Sequence, residues 1–306
     1  MKIIQKIPLP ISGVALAIAS LGNLLLPHGQ AIHVFCGVFA AFILGLFLIR
    51  VICDTKNVIE DLKSPVMLGA LPTSTMAAML LLGYIQPQVG MIAVVLWYFA
   101  LACHFTIMAV FIKRFILKPK LENVFPTWFV ACVGMIVASV TSPIMGAITL
   151  GQIIFYVGFA AYIIMLILIT YRMVKLPNIP EPARPTIAIY TAPLNLSIVG
   201  YFAAFEQPIV PLVYAMLAVS VVIYIGVTIK IIPLLKTKFF PSFAALTFPY
   251  VISATAFGLV NDMLISNGHT FFSFAPIISK WIAIAVVIYV VVRYTIYFAT
   301  LKFDSK

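Results

Sequence analysis

Ten mostly apolar stretches follow one another along the chain, at 9–26, 31–53, 65–83, 88–113, 126–142, 147–171, 185–204, 208–232, 241–262 and 276–301. Each approaches the ~20 residues that an α-helix needs to cross the hydrocarbon core of a bilayer. None shows the ten-residue alternation of a membrane β-strand, so all ten are predicted to be helices. The polar connectors between them are short, and residues 1–306 are expected to form a single transmembrane domain.

A repeat runs through these stretches. Each odd-numbered one opens beside a proline: Pro8, Pro65, Pro126, Pro185 and Pro241, at intervals of 57, 61, 59 and 56 residues. A proline in the first helical turn costs little, because its missing N–H would have no intrahelical partner there. The near-constant spacing predicts five helical hairpins in a quasi-five-fold arrangement. Ser and Thr separate the two sets of helices, with 16 in the 96 odd-span residues and 8 in the 125 even-span residues. Hydroxyls of this kind mark either helix–helix contacts or a polar interior. Together with the repeat they predict an inner ring of odd helices lining a central pore and an outer ring of even helices facing lipid. Pro72, Pro193 and Pro249 add a second proline to three inner helices and predict kinks beside a hydrated space.

Composition narrows the class. The chain is 64% hydrophobic and 9% charged, with a mean hydropathy of +1.17, too little polar surface for a soluble domain. The net charge of +11 follows a topological pattern. The N-terminus and the segments after even helices carry 18 of the 19 Lys and Arg, from Lys2 and Lys6 to Lys302 and Lys306, and the opposite side carries Lys280. The positive-inside rule then places both termini in the cytoplasm of a multi-pass cell-membrane protein, and the charge calls for no nucleic-acid partner. The start of the chain resembles a secretory signal, with Ala17-Ile18-Ala19 imitating a cleavage site. Its apolar run continues to Leu26 and fits the repeat, so a retained first helix is expected. Cys36, Cys53, Cys103 and Cys132 have no CxxC spacing and are read as small packing residues. His104 is read as a packed or hydrogen-bonded histidine rather than a proton relay. No metal or cofactor pattern is present, and dinucleotide and P-loop glycine motifs are missing.

No Asp, Glu, Lys or Arg lies deep inside a predicted span, which argues against a proton pump or a cation channel. The inner helices all begin on the cytoplasmic side, so their positive dipole ends ring one mouth and favour anions. Phe248 lies seven residues after Pro241, where the other repeats have Ala15, Pro72, Val133 and Ala192. One bulky ring among smaller residues reads either as core packing or as a gate closing a lumen by sterics and dewetting. Candidate lining residues near it are Thr247, Pro249, Ala245, Val251, Ile252 and Thr255, with Pro193 on a neighbouring helix. Asn195 reads either as a ligand for a carried substrate or as an interhelical hydrogen bond.

The motifs "LTFP" at 246–249, "SPV" at 64–66 with "PTSTM" at 72–76, "IPLPISGVAL" at 7–16 and "FPTWF" at 125–129 resemble the inner-helix openings of the TehA/plant slow-anion-channel family. That family includes tellurite-resistance and C4-dicarboxylate transporter homologues. The resemblance implies a homotrimer with a pore in each protomer, passive flux of small inorganic or organic anions, and an occluding phenylalanine at Phe248. The alternative function is a secondary carrier for C4-dicarboxylate, sulfite or tellurite, with or without proton coupling. A membrane sensor without flux and a membrane enzyme are the remaining classes. The short loops and the lack of converging acids, histidines and hydroxyls speak against them.

Overall fold

The computed structural model describes residues 4–301. Lys2, Lys302 and Lys306 of the charge pattern lie outside the described residues. Among these the fold is all helical: α1 Ile11–Leu25, α2 Gln30–Cys53, α3 Thr55–Asp61, α4 Pro65–Ala70, α5 Thr73–Val89, α6 Met91–Phe111, α7 Thr127–Val133, α8 Ile136–Thr141, α9 Ile148–Lys175, α10 Ala192–Ala204, α11 Val210–Ile231, α12 Thr247–Ser266 and α13 Phe274–Thr300. Two longer 3₁₀ segments, Glu181–Thr191 and Pro241–Leu246, lead into α10 and α12.

Nine helical stretches among the described residues are long and apolar enough to cross a membrane. The predicted span 126–142 is the exception: it forms the short helices α7 and α8, divided at Gly134-Met135 and together too short to count as a crossing. A Cβ at Gly134 would lie 2.5 Å from the Val130 carbonyl oxygen and 2.8 Å from the Met76 sulfur, with the His104 ring at 3.3 Å, so a larger residue would force its surroundings to shift. The apolar run continues unbroken through the interruption, which is why the sequence reads it as one helix.

Burial alternates along the chain. Two-thirds or more of the best membrane window is buried in Ile11–His28 (67%), Glu181–Ala204 (78%) and Pro241–Ser266 (78%), and 44% in Pro65–Val89. The intervening stretches are 28–33% buried and present Phe42, Phe99, Ile164, Val222 and Trp281 outward. In water such a surface would be untenable; in lipid it costs nothing. Packing of the buried helices closes a cycle, α1 on α5, α5 on α8, α8 on α10, α10 on α12 and α12 on α1. Outside it, α2 packs on α1, α6 on α5, α9 on α7 and α8, and α13 on α12, while α11 packs chiefly on the 3₁₀ segment Glu181–Thr191.

Small residues let these layers approach. Ile136 of α8 is wedged between Gly158 of α9 and Gly200 of α10, where an added Cβ would lie 2.4 and 2.7 Å from its side chain. Without a solvent-driven hydrophobic effect between helices in lipid, such close packing supplies much of the association energy. A further tie sits at the end of α2. The buried Arg50 contacts Asp54 (Nε–Oδ2 2.9 Å) and Asp61 (Nη2–Oδ2 3.1 Å) and donates to the carbonyls of Gln5 and Ile7, the latter at 2.8 Å. The segment before α1 is thereby anchored to α2 and α3.

Candidate functional site

Within the cycle of buried helices lies a cavity of about 460 Å³. Residues from five alternate segments line it: Pro10, Gly13 and Leu16; Ala70, Thr73 and Met76; Thr127, Val130 and Val133; Thr186, Ile189 and Leu196; and Ser242, Ala245 and Phe248, among others. None of α2, α6, α9, α11 or α13 contributes a lining residue. The cavity begins at the opening turns, where Ser64, Glu122, Asn123, Pro182 and Phe240 stand. The last lining residues in sequence along each segment are Leu16, Met76, Gly134, Leu196 and Phe248-Pro249.

In two of the five segments the 3₁₀ openings set a three-residue spacing of the lining. A 3₁₀ helix has three residues per turn, so positions i and i+3 eclipse. Ala183, Thr186, Ile189 and Ala192 thus form one stripe, and Ser242, Ala245 and Phe248 another. With a rise of ~2 Å per residue over most of the way, Phe248 sits about 13 Å past Pro241, deeper than a continuous α-helix would carry it. The same openings change the meaning of the second prolines. Pro193 and Pro249 fall in the first turn of α10 and α12, and Pro72 precedes α5. They therefore start α-helices, where the lost donor costs nothing, instead of breaking helices already under way.

Among the sequence candidates, the structure gathers Phe248, Pro249, Ala245, Val133, Ala192 and Pro193 around the cavity. Thr247, Val251, Ile252, Thr255, Ala15 and Pro72 are not among its lining residues. Ala15 and Val251 have no exposed surface. Thr247 donates to the Ala244 carbonyl at 2.7 Å, and Thr255 to the Val251 carbonyl at 3.1 Å. Phe248 is 7% exposed and, unlike most buried rings here, pairs with no other aromatic ring.

Asn195 is fully buried with its amide engaged on both sides. Its Nδ2 donates to the Thr191 carbonyl (2.7 Å) and to Ser253 Oγ (2.8 Å), and its Oδ1 accepts from Ser220 Oγ (2.7 Å). It joins α10, α11 and α12, and Ser253 in turn donates to the Pro249 carbonyl at 2.7 Å. Polar bonds between membrane helices average well under 2 kcal/mol each, so Asn195→Ala is expected to lower stability by about 1–2 kcal/mol. Thermal unfolding in detergent measures this.

The inner-helix hydroxyls also turn inward on their own backbone. Ser12, Thr73, Thr75, Thr186 and Ser253 each donate to a carbonyl three or four residues earlier. A hydroxyl used this way offers only lone pairs to its surroundings. His104 lies beside Gly134, buried, with Nδ1 2.8 Å from Thr75 Oγ1. Glu122 is the one ionisable side chain among the lining residues, exposed at the mouth. Sequence reasoning passed over the lining residues Gly13, Leu16, Met76, Thr186 and Leu196. No single register counted from the opening prolines Pro8, Pro65 and Pro185 reaches all five.

A family model described as a voltage-dependent anion channel matches residues 6–296. An uncharacterized transporter of Methanocaldococcus jannaschii is 30% identical over 173 residues, a stretch covering 51% of this chain and 50% of that protein. The chain thus spans about half the length of the curated relative it matches.

Proposed function

This chain belongs to the SLAC1 family of voltage-dependent anion channels, and on that footing we propose that it passes small anions through the cavity inside each protomer, with Phe248 as the gate. The observation that carries this reading is the cavity lined by five alternate segments, with Phe248 among its lining residues. The ten predicted spans form five hairpins in quasi-five-fold order, with the divided α7–α8 segment as the fifth inner member. The protein works as a homotrimer in the cell membrane with both termini cytoplasmic, and the mouth of the cavity faces the cytoplasm. It is a transport protein and not an enzyme.

Anion preference comes from the backbone and the surface field. Among the lining hydroxyls Thr73 and Thr186 donate to their own helices, Ser242 donates to the Pro182 carbonyl, and the buried Thr127 Oγ1 has no partner among the described residues; no lining side chain is cationic. The helix openings direct free N–H groups and positive dipole ends toward the mouth, and the Lys- and Arg-rich connectors raise the local anion concentration. Flux in liposomes holding this protein alone, across chloride, nitrate, sulfite, malate and tellurite, tests the reading. A reversal potential that follows the chloride gradient is expected. Selectivity for potassium over chloride overturns it, and saturating flux coupled to a pH gradient replaces the channel with a carrier.

Glu122 works against the field at the mouth. Glu122→Gln is expected to raise chloride conductance about two-fold at low salt, with the gain fading above ~0.1 M, where the Debye length falls to ~10 Å. Conductance measured against ionic strength checks both halves of this expectation.

A further inference from the structure

A second cavity, of about 660 Å³, lies outside the cycle of buried helices. It opens between the C-terminal parts of α9 and α11 and the 3₁₀ segment Glu181–Thr191. Ile187, Ile223 and Val227 give it an apolar wall, and Arg184 and Lys230 stand in the same lining, which contains no Asp or Glu. Both cations are exposed. Lys230 makes no hydrogen bond or ion pair among the described residues, and Arg184 makes one, from Nε to the Ile179 carbonyl at 3.3 Å. The nearby Glu181 is engaged by Lys238 at 3.6 Å, which leaves the two charges unbalanced.

The position matters as much as the charge. Lys230 sits in the last turn of α11. Below it on the same helix Val222, Ile225 and Ile229 are exposed, as are Ile164 and Ile167 on α9. The groove therefore spans the boundary between the apolar band and the basic surface. At Gly226 the helix backbone itself forms part of the lining, and an added Cβ would meet nothing within 4 Å.

We propose that this groove is a binding site for an anionic phospholipid, with the phosphate between Arg184 and Lys230 and an acyl chain along Ile187, Ile223 and Val227 over Gly226. The occupant is identified by complementarity. Water or a free anion leaves the apolar wall uncovered, and a zwitterionic lipid carries its own cation to the two it would meet. An anionic headgroup on a hydrocarbon tail satisfies both halves of the site. The bound lipid also has a structural consequence. In the 3₁₀ segment, Ile187 and Tyr190 line this groove while Thr186 and Ile189 line the inner cavity. A lipid in the groove supports that thin wall from behind.

Native mass spectrometry of the full-length protein in neutral detergent tests the site without reference to transport. The protein is titrated with phosphatidylglycerol or phosphatidylcholine of identical chains. Phosphatidylglycerol is expected to bind about ten-fold more tightly or better, and the double variant R184Q/K230Q to lose that preference. Gly226→Leu keeps both charges and fills the tail slot, and is expected to weaken phosphatidylglycerol binding several-fold. Unchanged melting temperatures in lipid-free detergent establish that both variants are folded. Equal binding of the two lipids to the parent protein overturns the proposal, as does a preference that survives R184Q/K230Q. Displacement of phosphatidylglycerol by millimolar inorganic phosphate, with Gly226→Leu without effect, also overturns it by reducing the site to an anion patch.

Discussion

Phe248→Ala is expected to raise anion flux about ten-fold or more over the parent protein. The effect is steric and electrostatic together. Leu16, Met76, Gly134, Leu196 and Phe248 all line the cavity, and Phe248 is the one aromatic ring among these five. A hydrated anion can pass an apolar constriction only by shedding water that nothing there replaces, and narrow apolar constrictions gate by dewetting. Removing the ring widens the cavity there and lets water fill it. A ten-fold change corresponds to only ~1.4 kcal/mol of barrier, small beside the cost of stripping an ion. Phe248→Leu, which keeps bulk without the ring, is expected to lie between the two. Because the ring faces the cavity and pairs with no other aromatic, the variant loses less stability than a fully packed phenylalanine would. Chloride flux in liposomes, normalised to folded protein, is the measurement. A folded variant with parental flux removes Phe248 as the gate.

The second large effect is on stability, at Arg50. Its guanidinium is 6% exposed and Asp54 is 8% exposed, so neither charge has water to fall back on. Arg50→Leu leaves Asp54 without its cation and the carbonyls of Gln5 and Ile7 without their donor. Breaking a buried pair on one side costs about 3–5 kcal/mol, since the remaining charge is stranded. Asn57 and Gln5 still donate to Asp54 Oδ1, at 2.8 and 3.4 Å, which keeps the loss within that range. Thermal unfolding in detergent is expected to show a drop of several degrees or more. Arg50→Leu with Asp54→Leu recovers part of it, because removing both charges ends the stranding. A melting temperature unchanged by Arg50→Leu means that water reaches the cluster.

Much of this architecture is legible from the chain. The membrane stretches are long apolar runs, and their boundaries emerge within a few residues, for example 31–53 against Gln30–Cys53. The difference between buried and lipid-facing stretches shows in the Ser and Thr content, because a hydroxyl is tolerated where it finds a carbonyl, and buried helices tolerate more of them. What the hydroxyls do there is not legible, since bonding to one's own backbone and facing a lumen use the same residues. The division at Gly134-Met135 is hidden for a different reason. It depends on Met76 and His104 arriving from other helices. The 3₁₀ openings are hidden too, because Pro182, Pro185 and Pro241 restrict the backbone without selecting between 3.0 and 3.6 residues per turn. That choice decides which side chains of the openings line the cavity; Val251, Ile252 and Thr255 lie beyond them in α12, where a face drawn at α-helical steps takes them in although the lining stops at Pro249.

The six-residue 3₁₀ opening Pro241–Leu246 is overwound relative to the α-helix that follows it. Three residues per turn against 3.6 is about 120° against 100° for each residue. Relaxing six residues to α-helical pitch would turn the benzyl group of Phe248 by roughly 120° about the axis and draw it back by about 3 Å. The proposed gate is thus mounted on a short screw thread, and because Phe248 is the second residue of α12, the whole of α12 would turn with it. Spin labels at Ser242 and Ala256 would register such a shortening, and a separation that stays constant between conducting and closed protein would rule the motion out.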